Sequence, residues 1–171
     1  MQEFFPYPSF RDGQRELLDT LKANWDKYEV IVLQCPVAFG KSPIATTIQQ
    51  WELQRGNGCC ILTNNNILRD QYMDEFDWMK TVRNQDDYWI EQYSMTEREF
   101  RNKIYKWGPK DSEYNNDYKT VRRVGTSVVG NFFTYIAHKL QRHTLIIDEA
   151  HSLLGTLQEL AASRIWQHDY G

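Results

Sequence analysis

A glycine, a lysine and a serine stand together where an apolar run meets a predicted helix, and their types and order suit phosphate binding. Backbone N–H groups of a loop that opens a helix can surround phosphate oxygens, and the helix dipole adds to the attraction. Lys41 is expected to reach the β- and γ-phosphates of a nucleotide, and the Ser42 hydroxyl to ligate Mg²⁺. The candidate nucleotide loop consists of Pro36, Val37, Ala38, Phe39, Gly40, Lys41 and Ser42.

The loop departs from the usual phosphate-binding pattern in three ways. Cys35 stands where the full pattern has glycine, and the bulky Phe39 lies near the loop tip. The third departure is Ala38, at which a positive φ would cost about 1 kcal/mol or more. The alternative is therefore an ordinary strand–turn–helix with an incidental Gly-Lys-Ser.

Two adjacent carboxylates follow a second apolar run, Leu145-Ile146-Ile147. Such a run predicts a buried strand that leaves Asp148 and Glu149 at its carboxyl end, where open α/β sheets bind ligands. Asp148 is expected to hold Mg²⁺ and Glu149 to orient and deprotonate an attacking water. The alternative is a strand that ends in a solvated acidic turn.

The elements around these residues alternate between strand and helix, which predicts an α/β fold: a mainly parallel sheet with helices on both faces. The predicted strands cover 30–33, 59–63, 124–129 and 145–147. The predicted helices cover 14–25, 41–55, 67–79, 97–107, 131–140 and 153–162. Residues 80–120, rich in polar and aromatic side chains, form a predicted insertion, in which 111–119 are expected to be an exposed loop.

Composition sets limits on partners and cofactors. The length of 171 residues suits one domain. The net charge of −3 lacks the basic signature of many nucleic-acid-binding proteins, so strand contacts need a local patch or backbone amides. Three cysteines predict neither a disulfide framework nor a four-cysteine cluster. No apolar run approaches a membrane span, and we expect a cytoplasmic protein, in the host cytoplasm if its origin is viral.

The loop and the sequence Asp148-Glu149-Ala150-His151 resemble motif I and the Asp-Glu-Ala-His box of superfamily 2 helicases, most closely the XPD/DinG-type branch. The resemblance implies a RecA-like P-loop NTPase domain that binds ATP and Mg²⁺ and hydrolyses ATP. His151 would sit where the second motor domain docks. The candidate catalytic residues are Lys41, Asp148, Glu149 and His151.

Further motifs extend the resemblance. Arg11 and Gln14 resemble an upstream element whose glutamine reads the adenine edge, although a polar helix start is the alternative. Thr63, Asn64 and Asn65 resemble motif Ia, which holds strand phosphates, and the alternative is an ordinary capped turn. Asn131 resembles the family's asparagine before the acidic box, which either contacts the strand or caps a helix.

The insertion contains no cysteine, which excludes the iron–sulfur cluster that many members of the branch carry there. Its aromatic and basic residues could stack and grip single-stranded bases. The alternative is that the aromatics form the insertion's own core. These candidates are Trp78, Trp89, Tyr93, Tyr105 and Trp107 with Arg98, Arg101, Lys103 and Lys106.

We therefore expect the ATP-binding domain of a nucleic-acid helicase that acts on single-stranded DNA. A second RecA-like domain is expected in the same longer chain or in a partner. Because an arginine finger contributes about 10³–10⁵ in rate in related systems, hydrolysis by this domain alone should be feeble. The alternatives are a non-catalytic nucleic-acid or partner-binding module derived from a helicase, and another P-loop enzyme such as a kinase.

Overall fold

This computed structural model describes residues 1–155 and 157–158, which form both β-strands and α-helices. The strands are β1 (Cys59–Thr63), β2 (Trp89–Ile90), β3 (Met95–Thr96), β4 (Val128–Asn131) and β5 (Thr144–Ile147). The α-helices are α1 (Gln14–Asn24), α2 (Lys41–Gln54), α3 (Asn66–Glu75), α4 (Glu97–Lys103), α5 (Glu113–Val121) and α6 (Phe132–Ala137). Short 3-10 turns lie at Gln2–Phe4, Trp25–Lys27, Gln85–Asp87, Glu91–Tyr93 and Ala150–Ser152.

The main sheet has the order β4-β1-β5, and both pairings are parallel. The central strand β1 is buried along its whole length, as its continuous apolar sequence predicts. Ile61 of β1 lies opposite Val129 of β4 and Ile146 of β5. All three strands run the same way, so their carboxyl ends meet at one edge of the sheet.

Side chains of the sheet pack against helices on both faces. On one face Ile61 and Val129 join α2 and α3 in a cluster with Tyr72 and Phe76. On the other face Cys60 and neighbouring residues pack against α5 and α6. A third cluster lies between α1 and α2. The prediction of an α/β fold with a parallel sheet and helices on both faces is therefore confirmed.

The prediction of a strand at 30–33 is wrong. These residues form no strand, and the side chains of Val30 and Val32 are 79% and 84% exposed. Ile31 alone turns inward, toward the cluster between α1 and α2. A continuous apolar run forms a buried strand only where neighbouring strands and covering layers exist on both sides, and none of the described residues pairs with this segment.

Two further boundaries differ from the sequence prediction. The strand predicted at 124–129 begins at Val128, because a turn in which the Thr126 N–H bonds the Arg123 carbonyl precedes it. The predicted loop 111–119 is largely helix α5. Ser112 caps this helix by accepting from the Asn115 N–H.

The insertion contains the antiparallel hairpin β2–β3 and the helices α4 and α5. The capping box of Thr96 with Glu99 is confirmed at the start of α4, although this helix ends at Lys103 rather than near residue 107. Helix α3 also ends before its predicted limit, at Glu75. Part of the helix predicted at 153–162 lies outside the described residues. Within residues 1–155 and 157–158, no helix has the length and apolarity that crossing a bilayer requires.

Candidate functional site

The start of α2 and the end of β5 bring a cation and a carboxylate together. The Lys41 Nζ lies 3.4 Å from Oε1 of Glu149, although 108 residues separate them. Asp148 continues the pairing of β5, since its N–H donates to the Leu62 carbonyl at 2.9 Å. Glu149 then adopts a left-handed conformation with φ of 54°, which turns the chain out of the sheet. Both side chains of the pair are partly exposed, so the pair contributes little to stability and remains open to exchange.

Tyr72 of α3 connects the two candidate magnesium ligands. Its hydroxyl donates to Oδ2 of Asp148 at 3.0 Å, and the Ser42 hydroxyl forms a hydrogen bond with the same phenol. Burial raises the pKa of Tyr72 far above its usual range, and the Asp148 carboxylate adds to the effect by repelling a phenolate. Tyr72 therefore stays a neutral donor, and it holds Ser42 and Asp148 within reach of one another.

The candidate nucleotide loop adopts the positive φ at Ala38 whose energetic cost counted against a phosphate-binding loop. Ala38 has φ of 64°, the strained left-handed conformation, and Gly40 has φ of 86°. The Phe39 N–H closes a turn on the Pro36 carbonyl, which leaves Val37 at the exposed tip. The ring of Phe39 packs into the cluster between α1 and α2, so the bulky residue anchors the loop.

No side chain caps the start of α2, and Pro43 in its first turn has no N–H. The N–H groups of Lys41 and Ser42 at the first two helical positions have no intrahelical partners. Free first-turn amides beside a positive helix end favour an anion at this position.

Arg11 and Gln14 support the loop directly. The Arg11 Nη1 donates to the Ala38 carbonyl at 2.6 Å, and the Gln14 Nε2 donates to the Phe39 carbonyl at 2.7 Å. The Gln14 Oε1 accepts from the Arg11 N–H at 2.9 Å, and the side chain of Gln14 is buried. Both ends of this amide bond protein atoms, so its adenine-reading role stays a prediction. A Cβ on Gly40 would come within 2.6 Å of the Gln14 Nε2, which explains why glycine fits there.

His151 lies at the outer rim of the same site. Its Nδ1 is 3.2 Å from Oε2 of Glu149, and its side chain is 79% exposed. It therefore touches the acidic end of β5 and remains accessible from outside. The predicted docking role is not tested by this geometry.

Two of the predicted strand-binding residues, Asn65 and Asn131, act as helix caps at the same edge of the sheet. Asn65 accepts from the Leu68 N–H and begins α3, while the buried Thr63 hydroxyl donates to the Asn65 carbonyl. Asn131 caps α6 through the Thr134 N–H and donates to Oδ1 of Asn66 at 2.8 Å. The buried Oδ1 of Asn64 has no hydrogen-bond partner among the described residues. Capping thus accounts for Asn65 and Asn131, and their contact with a strand stays a prediction.

A basic cleft of about 230 Å³ opens beside these asparagines. Asn66 and Arg69 of α3, Asn131, and Arg83 and Arg98 of the insertion contribute to its wall, and no carboxylate lines it. Phe133, also in the wall, is exposed. Burial lowers the pKa of His138 in the same wall, and the nearby Arg122 adds to this shift, so the positive charge at neutral pH comes from the guanidinium groups.

The aromatic candidates of the insertion are accessible. Trp78, Trp89, Tyr93, Tyr105 and Trp107 are 39–65% exposed. Tyr88 and Tyr114 of the insertion pack instead in the cluster on one face of the main sheet, whereas Tyr93 lies against the buried Phe100. Of the basic candidates, Arg98, Arg101 and Lys103 pair with carboxylates of the insertion, and Lys106 lies over the Trp107 ring.

The sequence prediction missed Tyr72 and Arg83 as site residues. Tyr72 lies within the helix predicted at 67–79, where its type and spacing indicate only packing, and Arg83 stands alone in a polar stretch. The only signal in the sequence was a tyrosine one turn after Asn66–Leu68, which predicts a buried side chain rather than a contact with Asp148.

No protein-family model matches this chain, and neither a curated protein nor a solved structure matches it. The geometry of the site and the physical chemistry of its residues therefore carry the functional conclusion.

Proposed function

We propose that this chain is the ATP-binding, RecA-like motor domain of an ATP-dependent nucleic-acid helicase. The observation that carries the proposal is the meeting of two distant segments: Lys41 and Ser42 of α2 with Asp148 and Glu149 after β5. The required parts of a phosphoryl-transfer site are an ammonium, a hydroxyl, and carboxylates for metal and water. All of them lie at one edge of the parallel sheet, where ligands of open α/β folds bind.

Each residue has a distinct role in this proposal. The triphosphate would accept from the first amides of α2, and Lys41 would neutralise its β- and γ-oxygens. Ser42 and Asp148 would hold Mg²⁺, which supplies charge neutralisation of the phosphates. Glu149 would accept a proton from the water that attacks the γ-phosphorus in line. An arginine from a second RecA-like domain, in a longer chain or a partner, would complete the site.

The basic cleft supports a nucleic-acid partner. The wall holds three guanidinium groups; Arg69 and Arg98 are paired with Asp70 and Asp86, so Arg83 supplies the uncompensated positive charge of this patch. Phosphates bind such patches, and the exposed ring of Phe133 offers a face on which a base can stack. A single strand fits this pattern better than a duplex, because only unpaired bases present their faces.

The test is binding of a fluorescent ATP analogue in the presence of Mg²⁺, measured for the chain and for Lys41→Ala. We expect the variant to bind about 10- to 100-fold more weakly, because hydrogen bonds to charged groups contribute about 1.5–3 kcal/mol. Lys119→Ala, an exposed lysine on α5, is the matched control and should bind as the unaltered chain does. Equal affinities for all three proteins would refute the nucleotide site.

One observation favours a second candidate, a non-catalytic nucleic-acid-binding module. Lys41 is already paired with Glu149, and Gln14 is already bonded to the loop, so the site is satisfied by its own residues. The basic cleft does not depend on nucleotide. Strand binding that persists in Lys41→Ala, together with absence of ATP-analogue binding by the unaltered chain, would support this second candidate.

A further inference from the structure

The start of α1 and the turn before it lie directly against the candidate nucleotide loop. The Arg11 Nη1 donates to the Ala38 carbonyl at 2.6 Å. The Gln14 Nε2 donates to the next carbonyl of the loop, that of Phe39, at 2.7 Å. Gly13 stands between the two donors along the chain, and a Cβ there would lie 3.4 Å from the Phe39 ring. The turn and the loop therefore pack as one unit.

Ala38 is the residue of the loop that most needs this support. Its φ of 64° is a conformation that residues with a Cβ rarely adopt. Such strained residues persist only where surrounding contacts hold them, and here the two donors hold the carbonyl of Ala38 and the carbonyl that follows it. Helix α2 begins at Lys41, directly after the loop. The direction in which the first amides of α2 point therefore depends on Arg11 and Gln14.

The Gln14 amide is fully engaged in this support. A glutamine that reads adenine uses both amide atoms: the oxygen accepts from the exocyclic amine, and the nitrogen donates to N7. In this chain Oε1 already accepts from the Arg11 N–H at 2.9 Å, and Nε2 donates to the Phe39 carbonyl. The side chain is 2% exposed, and turning it toward a base would break both bonds. The position of Gln14 thus suits a contact with the loop and not a contact with a nucleotide base.

We propose that Arg11 and Gln14 are positioning residues of the nucleotide loop, and that the site binds nucleoside triphosphates of any base. In this proposal, which rests on the proposed function and deepens it, the binding energy comes from the triphosphate. Its oxygens meet the first amides of α2 and the ammonium of Lys41. This ligand class and the adenine-reading role predicted from the sequence exclude one another, and competition between nucleotides decides between them.

The first test is competition of ATP, GTP and CTP, each with Mg²⁺, against a ribose-labelled fluorescent ATP analogue on the unaltered chain. We expect the three affinities to agree within about threefold, because no hydrogen bond to the base distinguishes the nucleotides. A site that hydrogen-bonds one base rejects the others by about tenfold or more, so such a preference overturns the inference while the nucleotide site stands. Absence of binding by the analogue and by all three nucleotides overturns the proposed function and the inference together.

The second test is Arg11→Ala, which is preferred to a change at the buried Gln14 because the exposed side chain of Arg11 can be shortened without opening a cavity. We expect its affinities for ATP, GTP and CTP to fall by the same factor, about tenfold, the lower end of what a hydrogen bond from a charged group contributes. Arg11→Lys keeps a donor for the Ala38 carbonyl and should recover most of this loss.

The matched control is Arg15→Ala, which removes an exposed arginine that lies over the Phe10 ring. It should bind all three nucleotides as the unaltered chain does. A loss confined to ATP in Arg11→Ala would assign base reading to this turn and overturn the inference. Unchanged affinities in Arg11→Ala, or equal losses in Arg11→Ala and Arg15→Ala, would overturn it as well.

Discussion

The Tyr72 hydroxyl donates a hydrogen bond to Oδ2 of Asp148 at 3.0 Å, in a position where the phenol is almost entirely buried. Ser42 bonds the same phenol, so one side chain of α3 connects the start of α2 with the end of β5. Tyr72 is therefore a positioning residue for the proposed magnesium pair.

Tyr72→Phe keeps the ring and its packing on Phe76 but removes the hydroxyl. We expect ATP-analogue binding to require about 10- to 100-fold more Mg²⁺, because hydrogen bonds to charged groups contribute about 1.5–3 kcal/mol and Asp148 loses one donor. Magnesium titrations at fixed analogue concentration measure this change. Tyr7→Phe removes a phenol that bonds Glu75 outside the site and serves as the control. An unchanged magnesium requirement in Tyr72→Phe would limit Tyr72 to a structural role.

Gly40→Ala should be more damaging than any other glycine-to-alanine change in this region. Gly40 and Gly56 both have positive φ, but a Cβ on Gly56 meets no atom within 4 Å, whereas one on Gly40 meets Gln14. The positive φ costs about 1–2 kcal/mol at either position. Gly40→Ala should lose more than this and also lose ATP-analogue binding, as measured by urea unfolding and titration.

The two control glycines separate the causes. Gly56→Ala should lower the free energy of unfolding and leave analogue binding unchanged. Gly125→Ala should do neither, since the site is open and φ is not positive. Equal binding by Gly40→Ala and Gly56→Ala would show that the contact with Gln14 does not shape the loop.

Arg83→Ala tests the basic cleft. Its guanidinium forms no ion pair with any described residue, so its removal should not disturb the fold. We expect affinity for a fluorescent single-stranded oligonucleotide to fall and the slope of log affinity against log salt to shrink by about 1. Fluorescence anisotropy at several salt concentrations measures both. Arg123→Ala, an exposed arginine outside the cleft, should keep the original slope; a loss in both variants would point to non-specific charge.

Alkaline pH should destabilise the sheet through its central strand. Burial raises the pKa of the Cys60 thiol from 9.0 to about 12, an effect that Arg142 partly offsets. Between these values the unfolded chain releases the thiol proton and the folded chain keeps it. Stability therefore falls as pH rises, by up to about 1.4 kcal/mol per pH unit from this group.

Unfolding by urea between pH 8 and 11 measures this dependence. Cys60→Ala should show a shallower decline than the unaltered chain, although its stability at pH 8 is lower because a buried side chain is shortened. Cys35→Ala, which removes a thiol outside the sheet, should retain the full slope. A parallel decline in all three proteins would assign the alkaline loss to other groups, such as the buried Tyr72 and Tyr88, whose pKa values are also raised.

The sequence predicted β1 and β5 well because both are short apolar runs with definite ends. The same rule failed at 30–33, since periodicity and hydrophobicity report a tendency to be buried and not the presence of a neighbouring strand. Helix α5 was missed because its polar residues masked the spacing of Tyr114, Tyr118 and Val121, which pack inward. Local capping rules succeeded at Thr96, where the signal lies within four residues.

For the site, sequence predicted which residue types come together but not the contacts between them. Lys41 and Glu149 each belong to a recognisable local motif. The contact between them across 108 residues is consistent with the two motifs lying in one site. The adenine-reading role expected of Gln14, with Arg11 beside it, stays a prediction. The bonds of both residues to the loop were not predicted, because they depend on how α1 packs against α2. Such packing is a property of the tertiary structure, which no local pattern encodes.

The presence of Arg69 and Tyr72 on one helix, α3, has a mechanical consequence. Arg69 in the cleft wall and Tyr72 on Asp148 are three residues apart, about 4.5 Å along the axis of a rigid rod. The Arg69 guanidinium is bonded to Asn66 and Asp70 of the same helix, so a phosphate that pulled on it would also pull on α3 and on the phenol that α3 carries. In the proposed function, occupancy of the cleft would thereby be transmitted to the proposed metal ligands within a single turn of helix, with no larger rearrangement of the domain.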